Sequence, residues 1–220
     1  MVNTLKHIEF FNPNKVKNKE VHIIGVGAVG SFIALTLAKL GLQKLTIWDF
    51  DTVEETNVAN QVYTQKDVGK LKTEALKQHL LDNNSDMEVI CKDRYTSQNL
   101  KGIIFLTVDS INLRYKILTN LQYNPFIELV IDGRIGLEKG QVISTVWSLT
   151  NLVKNHIALS DFDDSQSDAP VSACGTTLSV MPSVQCTSQF AVAQLINFIN
   201  NKPIKQLVQF DAFDFKIYAR

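Results

Sequence analysis

Three glycines in the run Gly25-Val26-Gly27-Ala28-Val29-Gly30 limit the folds open to this chain more than any other feature. The apolar run Val21–Ile24 leads into them and a helical pattern over 28–40 leads out, closed by Gly41. A second short apolar run, Lys44–Trp48, then ends at Asp49. Strand, tight turn, helix and strand form the unit that lays a nucleotide against a helix N-terminus. Its glycines permit the turn, let the backbone approach phosphate and seat the helix close on the strand. The first helical N–H groups lack intrahelical partners and favour an anion. Asp49, roughly 20 residues beyond the turn, is placed to accept hydrogen bonds from ribose hydroxyls. The motif predicts nucleotide binding and leaves the nucleotide unspecified.

The rest of the chain repeats the alternation. Asp67-Val68-Gly69 precedes a helix over 70–81, whose Leu71, Ala75, Leu76 and Leu80 recur on one face. Strands are expected at 87–91 and 103–108, a helix at 110–121, and a fifth strand at 127–131 stopped by Asp132-Gly133. A strand over 141–149, a long helix over 183–200 and two strand-like runs, 206–210 and 213–218, finish the pattern. The fold class is therefore α/β: a Rossmann-like, mostly parallel sheet with helices on both faces and a C-terminal antiparallel hairpin. With 220 residues, 45% of them hydrophobic, the chain can fill one core as a single domain, 1–220. Within it, 1–19 reads as a polar N-terminal arm. The segment 151–173, with its acidic SDFDDSQSDAP, reads as a mobile crossover loop. Asp161, Asp163, Asp164 and Asp168 read there as a solvated loop and not as a metal cluster.

Composition excludes several classes of partner. Lys+Arg and Asp+Glu both number 22, so no net charge draws the chain to nucleic acid or an anionic membrane. No apolar run approaches ~20 residues and MVNTLKHIEFFNPNK lacks a long apolar core, so neither a membrane span nor secretion is expected and the setting is cytoplasmic. Cys91, Cys174 and Cys186 are odd in number and far apart, which argues against a disulfide framework. There is no CxxC, and His7, His22, His79 and His156 are scattered, so no zinc site is expected. His22, inside the first strand, reads as a core residue.

Four further signals follow Asp49 in order: DFDTVEETNVANQ (49–61), DVGKLK (67–72), TVDSINLR (107–114) and IDGRIGLEKGQV (131–142). Singly, Lys72 reads as an exposed helix lysine and Asp109 as a helix N-cap. In register with the glycine turn, they resemble the ThiF/MoeB/HesA superfamily, to which ubiquitin-activating enzymes belong, in its short, zinc-free form. That resemblance implies adenylyl transfer from MgATP. A carboxylate, usually the C-terminal glycine of a ubiquitin-like or sulfur-carrier protein, attacks the α-phosphate; pyrophosphate leaves and an acyl-adenylate remains. By position, the resemblance assigns Gly25, Gly27, Gly30, Asp49, Asp51, Asn57, Asn60, Gln61 and Lys72 to the nucleotide. Asp49 takes the ribose, Asn57 and Lys72 the phosphates, and Asp109 the magnesium ion. Such transfer needs positioning and charge neutralisation more than covalent help, and magnesium can make do with one carboxylate beside phosphate oxygens and water. The resemblance also implies a homodimer. Cys174, in PVSACGTT, is the best candidate for a thioester or persulfide; packing of the turn into the last helix is the other reading of it.

Two departures stand out. Asn60 occupies the place where the family usually has an arginine, and 1–19 contains no arginine, Arg94 being the first of four. Each missing cation near a triphosphate could cost about 3 kcal/mol of transition-state stabilisation, which implies slow chemistry or binding without turnover. Lys15, Lys17 and Lys19 are available as point charges, without arginine's fork. Arg114 reads as an ion-pair partner, and Arg134 lies where it could reach substrate or phosphate. The alternative functions are a nucleotide-binding pseudoenzyme or scaffold, an NAD-dependent oxidoreductase, and ATP-dependent modification of a tRNA base. The oxidoreductase would leave Lys72 and Asp109 without a task.

Overall fold

The computed structural model describes residues 2–160 and 179–220. Cys174, and the part of the expected crossover loop beyond Ser160, lie outside the described residues. The sheet begins with parallel strands β1 (Val21–Ile24), β2 (Lys44–Trp48), β3 (Glu88–Lys92), β4 (Gly102–Leu106) and β5 (Ile127–Ile135). It continues antiparallel through β6 (Lys139–Val146), β7 (Leu207–Asp211) and β8 (Lys216–Ala219), in the order β3-β2-β1-β4-β5-β6-β7-β8. The helices are α1 (Ala28–Lys39), α2 (Lys72–Asn83), α3 (Ile111–Leu121), α4 (Thr150–Ala158) and α5 (Met181–Ile199).

Successive strand residues face opposite layers. Ile23, Ile47, Phe105 and Ile131 pack with Ile33 and Leu37 of α1, Leu76 and Leu80 of α2, and Leu195 of α5. Their neighbours Ile24, Trp48, Ile104 and Val130 pack with Ile117 and Leu118 of α3 and Val153 of α4. Each such side chain, fully buried, contributes roughly 1.5–3 kcal/mol, which is why both faces of the parallel strands must be covered. The chain runs outward from β1 to β2 and β3, then returns to β4 on the other side of β1. That reversal opens a crevice at the carboxyl ends of β1 and β4, the place where such sheets bind ligands.

The expected α/β architecture and C-terminal hairpin are present, with three local differences. β5 does not stop at Asp132-Gly133 but runs on to Ile135, because the Asp132 carboxylate finds buried cationic partners described below. The first part of the expected crossover loop is helix α4, in which Val153 and His156 are buried; the spacing of three is a helical signal hidden by the acidic run after it. Within the expected arm, Phe11 and Val16 are buried in the first core cluster. Among the described residues no helix is long and apolar enough to cross a membrane.

Candidate nucleotide site

The glycine turn is built by two opposite requirements. A β-carbon at Gly30 would sit 2.0 Å from the Gly25 carbonyl oxygen and 2.6 Å from Thr107 Oγ1, so α1 can rest on β1 and β4 only without one. A β-carbon at Gly27 would meet nothing within 4 Å, because this residue faces the crevice at the N-terminus of α1. Thr107 Oγ1 donates to the Gly25 carbonyl (2.6 Å) and ties the end of β4 to the turn. We expect Gly30→Ala to lower stability by about 1–3 kcal/mol through overpacking, measured by denaturant unfolding. Gly27→Ala is expected to melt like wild type while losing nucleotide affinity, measured by calorimetric titration.

Asp49 stands at the end of β2 and is fixed by backbone donors. Its Oδ2 accepts from Val26 N–H (2.8 Å) and its Oδ1 from Asp51 N–H (2.9 Å). Burial pushes its carboxyl above the ordinary aspartate value, against the pull of those two hydrogen bonds. Tyr63 donates its hydroxyl to the Val26 carbonyl (2.7 Å), bracing the turn from below.

Two motifs about twenty residues apart are knitted together beside Asp49. Val53 N–H donates to Lys70 O (2.8 Å), Gly69 N–H to Val53 O (2.9 Å) and Lys72 N–H to Asp51 O (2.9 Å). The Asp67 carboxylate holds the intervening turn by accepting from Thr64 N–H (2.9 Å), His79 (2.8 Å) and Lys70 (3.0 Å). Lys72 thereby begins α2, and its ammonium donates to Asp51 Oδ2 at 2.9 Å. It is 8% exposed, not the exposed helix lysine expected from its isolated position. Asp109 is likewise not the N-cap. Ser110 caps α3, its Oγ accepting from Leu113 N–H (3.2 Å), while Asp109 is exposed just before the helix and accepts from Ser110 N–H (2.8 Å).

Gly27, Asp49, Asp51, Gln61, Lys72 and Asp109 line one cavity of about 1180 Å³. Gly25 lines it too, and Gly30 supports it through packing. Asn57 and Asn60 are not brought to its wall. Asn57 Oδ1 accepts from Glu54 N–H (3.0 Å) in a short 3₁₀ turn, and Asn60 Nδ2 donates to Ser179 Oγ (2.6 Å). The N-terminal lysines are off the wall as well: Lys15 donates to Asn200 (2.6 Å), and Lys19 pairs with Glu128. Among the described residues, no three of His, Cys, Asp and Glu cluster as metal ligands.

Beneath the crevice lies an arrangement that sequence reasoning missed. The Asp132 carboxylate, 0% exposed, pairs with both Arg114 and Arg134, the latter at 2.6 Å. Arg114 also donates to the carbonyls of Leu106 (3.2 Å) and Val108, gripping the segment that carries Thr107 and Asp109. Arg134 donates to Leu159 O (2.8 Å) and to Ser160 Oγ, gripping the end of α4. Burial would raise the Asp132 carboxyl, but Arg114 and Arg134 hold it far below the usual range. Desolvation lowers the buried His156 beside it, outweighing the pull of Asp132, so this imidazole is neutral at neutral pH. Arg114 is the ion-pair partner expected; Arg134 lines the cavity but spends its fork on Asp132 and α4. The available signal was an aspartate placed directly after the apolar run Leu129-Val130-Ile131 of the strand.

Residues 4–220 match the profile of the ThiF family. Over 109 residues the chain is 35% identical to a tRNA threonylcarbamoyladenosine dehydratase of Bacillus subtilis (strain 168), covering 46% of this chain and 43% of that protein. Over 75 residues it is 35% identical to ubiquitin-like modifier-activating enzyme 5 of Caenorhabditis elegans, covering 34% of this chain and 18% of that protein. The structure of E. coli MccB with AMPCPP and MccA has the same fold, with a TM-score of 0.68 at 21% identity, covering 94% of this chain and 65% of that one. The chain spans less than half the length of either of these two curated relatives.

Proposed function

The chain belongs to the ThiF family, and from that premise we propose that it is an ATP-dependent adenylyltransferase that activates a carboxylate. The observation that carries this reading is the single cavity on which Gly27, Asp49, Lys72 and Asp109 meet. The N-terminus of α1 offers backbone N–H groups to phosphate, Asp49 takes ribose hydroxyls, and Lys72 neutralises phosphate charge. An exposed carboxylate at the crevice edge suits magnesium, which accepts one or two carboxylates with phosphate oxygens and water; bound there, the ion adds neutralising charge. In the reaction an oxygen of the substrate carboxylate bonds to the α-phosphorus of ATP. The bond from that phosphorus to the bridging oxygen breaks, its electron pair leaves with pyrophosphate, and an acyl-adenylate remains.

The cavity runs on past the nucleotide end to Gly140, Phe210 and Lys216. Sites for small ligands occupy about 300–1,000 Å³, so this limb leaves room for an extended polypeptide end. We assign it to the C-terminal glycine of a small ubiquitin-like or sulfur-carrier protein. The ubiquitin-like modifier-activating relative and the MccB structure with AMPCPP and MccA support that choice. A homodimer and a cytoplasmic setting complete the reading.

Exchange of labelled pyrophosphate into ATP, dependent on a candidate carrier, tests it. Nucleotide binding without exchange would select the second reading, a nucleotide-binding pseudoenzyme. That reading is favoured by Asn60 holding Ser179 where the family carries arginine. Tight NADH binding with none of MgATP would overturn both. Cys174→Ser is expected to leave exchange intact and abolish any later covalent transfer to the protein, seen as loss of a carrier–enzyme band under non-reducing electrophoresis. Full transfer by the variant would leave Cys174 a structural role only.

A further inference from the structure

The base end of the crevice carries two residues that the proposed chemistry leaves unused. Arg94 follows β3, and its guanidinium carbon lies 3.8 Å from the centre of the Phe50 ring. Phe50 sits between Asp49 and Asp51, is 46% exposed, and lines the cavity together with Arg94. Both are held from behind. Asp49 N–H donates to Lys92 O (3.2 Å), which joins the end of β2 to the end of β3. Tyr95, next to Arg94, is buried edge-on against Trp48 with ring centres 5.7 Å apart, and its hydroxyl donates to Gln98 O (3.1 Å). Among the described residues Arg94 forms no ion pair, and its guanidinium rests on the Phe50 ring.

A guanidinium lying over an aromatic ring is planar on both sides, and its outer face is open to a second π-system. A base follows the ribose in any nucleotide, and Phe50 follows the aspartate assigned to the ribose. Leu113 and Ile117 of α3 line the same cavity and supply apolar surface for a base. We propose that Arg94, backed by Phe50, is the platform on which the nucleobase stacks, and that it selects purines over pyrimidines by stacking area. The inference rests on the nucleotide-binding part of the reading above and not on adenylation. Arginine reads guanine O6 and N7 only when its fork lies in the plane of the base. Used as a stacking surface over Phe50, it meets adenine and guanine alike.

The test is calorimetric titration of the full chain with ATP, GTP, CTP, UTP and inorganic tripolyphosphate. Wild type is expected to bind ATP and GTP comparably and CTP and UTP more weakly. Removal of a stacking partner corresponds to a loss of roughly five- to 150-fold, and Arg94→Ala is expected to lose about tenfold for ATP and nothing for tripolyphosphate. Arg94→Lys should behave like the alanine variant, since an ammonium has charge but no plane. Three results would each overturn the proposal: wild-type ATP affinity in Arg94→Ala, full rescue by lysine, or an equal loss for tripolyphosphate. A wild type that binds no nucleotide overturns this inference and the adenylation reading together. Arg94-dependent ATP binding without pyrophosphate exchange overturns adenylation alone.

Discussion

Replacing Lys72 with alanine is expected to lower carrier-dependent pyrophosphate exchange by about two orders of magnitude, the usual effect of losing one charge contact to a transition state. Lys72 is 8% exposed and its ammonium is presented at the mouth of α2 by the backbone pairing of Asp51 with Lys72. Its protein partner, Asp51, has a half-exposed side chain. A pair of that kind contributes at most about 1 kcal/mol to stability, so the variant should fold nearly as well as wild type while losing rate. Asp109→Ala is expected to show the same loss of rate, because its carboxylate lines the cavity from the exposed segment before α3. The measurement is exchange rate set beside a thermal melt. If both variants exchange at wild-type rate, the roles assigned to Lys72 and Asp109 are wrong.

Asp132→Ala is expected to have the largest effect on stability. The substitution leaves Arg114 and Arg134 beneath the crevice with no carboxylate between them, and breaking a buried pair from one side costs about 3–5 kcal/mol. For a domain of this size that corresponds to a melting temperature lower by roughly 6–20 °C. The pH dependence has a definite sign. The folded carboxyl lies far below the unfolded value of about 3.9, so the stability it contributes is complete above that value. It is lost progressively as pH falls below ~3.9 toward the folded value. Wild type should therefore lose more stability on acidification than Asp132→Asn, measured by denaturant unfolding across that range. A variant melting within a degree of wild type would mean that the arginines are satisfied without Asp132.

The two predictions separate what was legible in the sequence from what was not. The turn at Gly25–Gly30 was legible because its requirements are local: Gly30 must pack against Gly25, five residues away. Strands β1 and β2 were legible to the residue because their mainly apolar runs, ending in Ile23-Ile24 and Ile47-Trp48, stop where Gly25 and Asp49 begin. Helix α4 was obscured by the acidic run that follows its buried Val153 and His156, and β5 by an aspartate that normally ends a strand. Asn57 and Asn60 show the converse. Their place in a family pattern assigned Asn57 to the phosphates and Asn60 to the nucleotide, whereas hydrogen bonds with Glu54 and Ser179 hold them in the loop after β2, off the cavity wall.

Read alone, the chain determined its layered α/β sheet, the glycine turn under a helix N-terminus, and Asp49 at the end of the next strand. Those features follow from backbone freedom and side-chain periodicity acting between near neighbours. Only the folded molecule decided that Lys72 is buried against Asp51, that Arg94 lies on Phe50, and that one carboxylate under the crevice serves two arginines. Charge type can be read from a residue's identity, but its burial and its partner depend on which distant segments the sheet brings together.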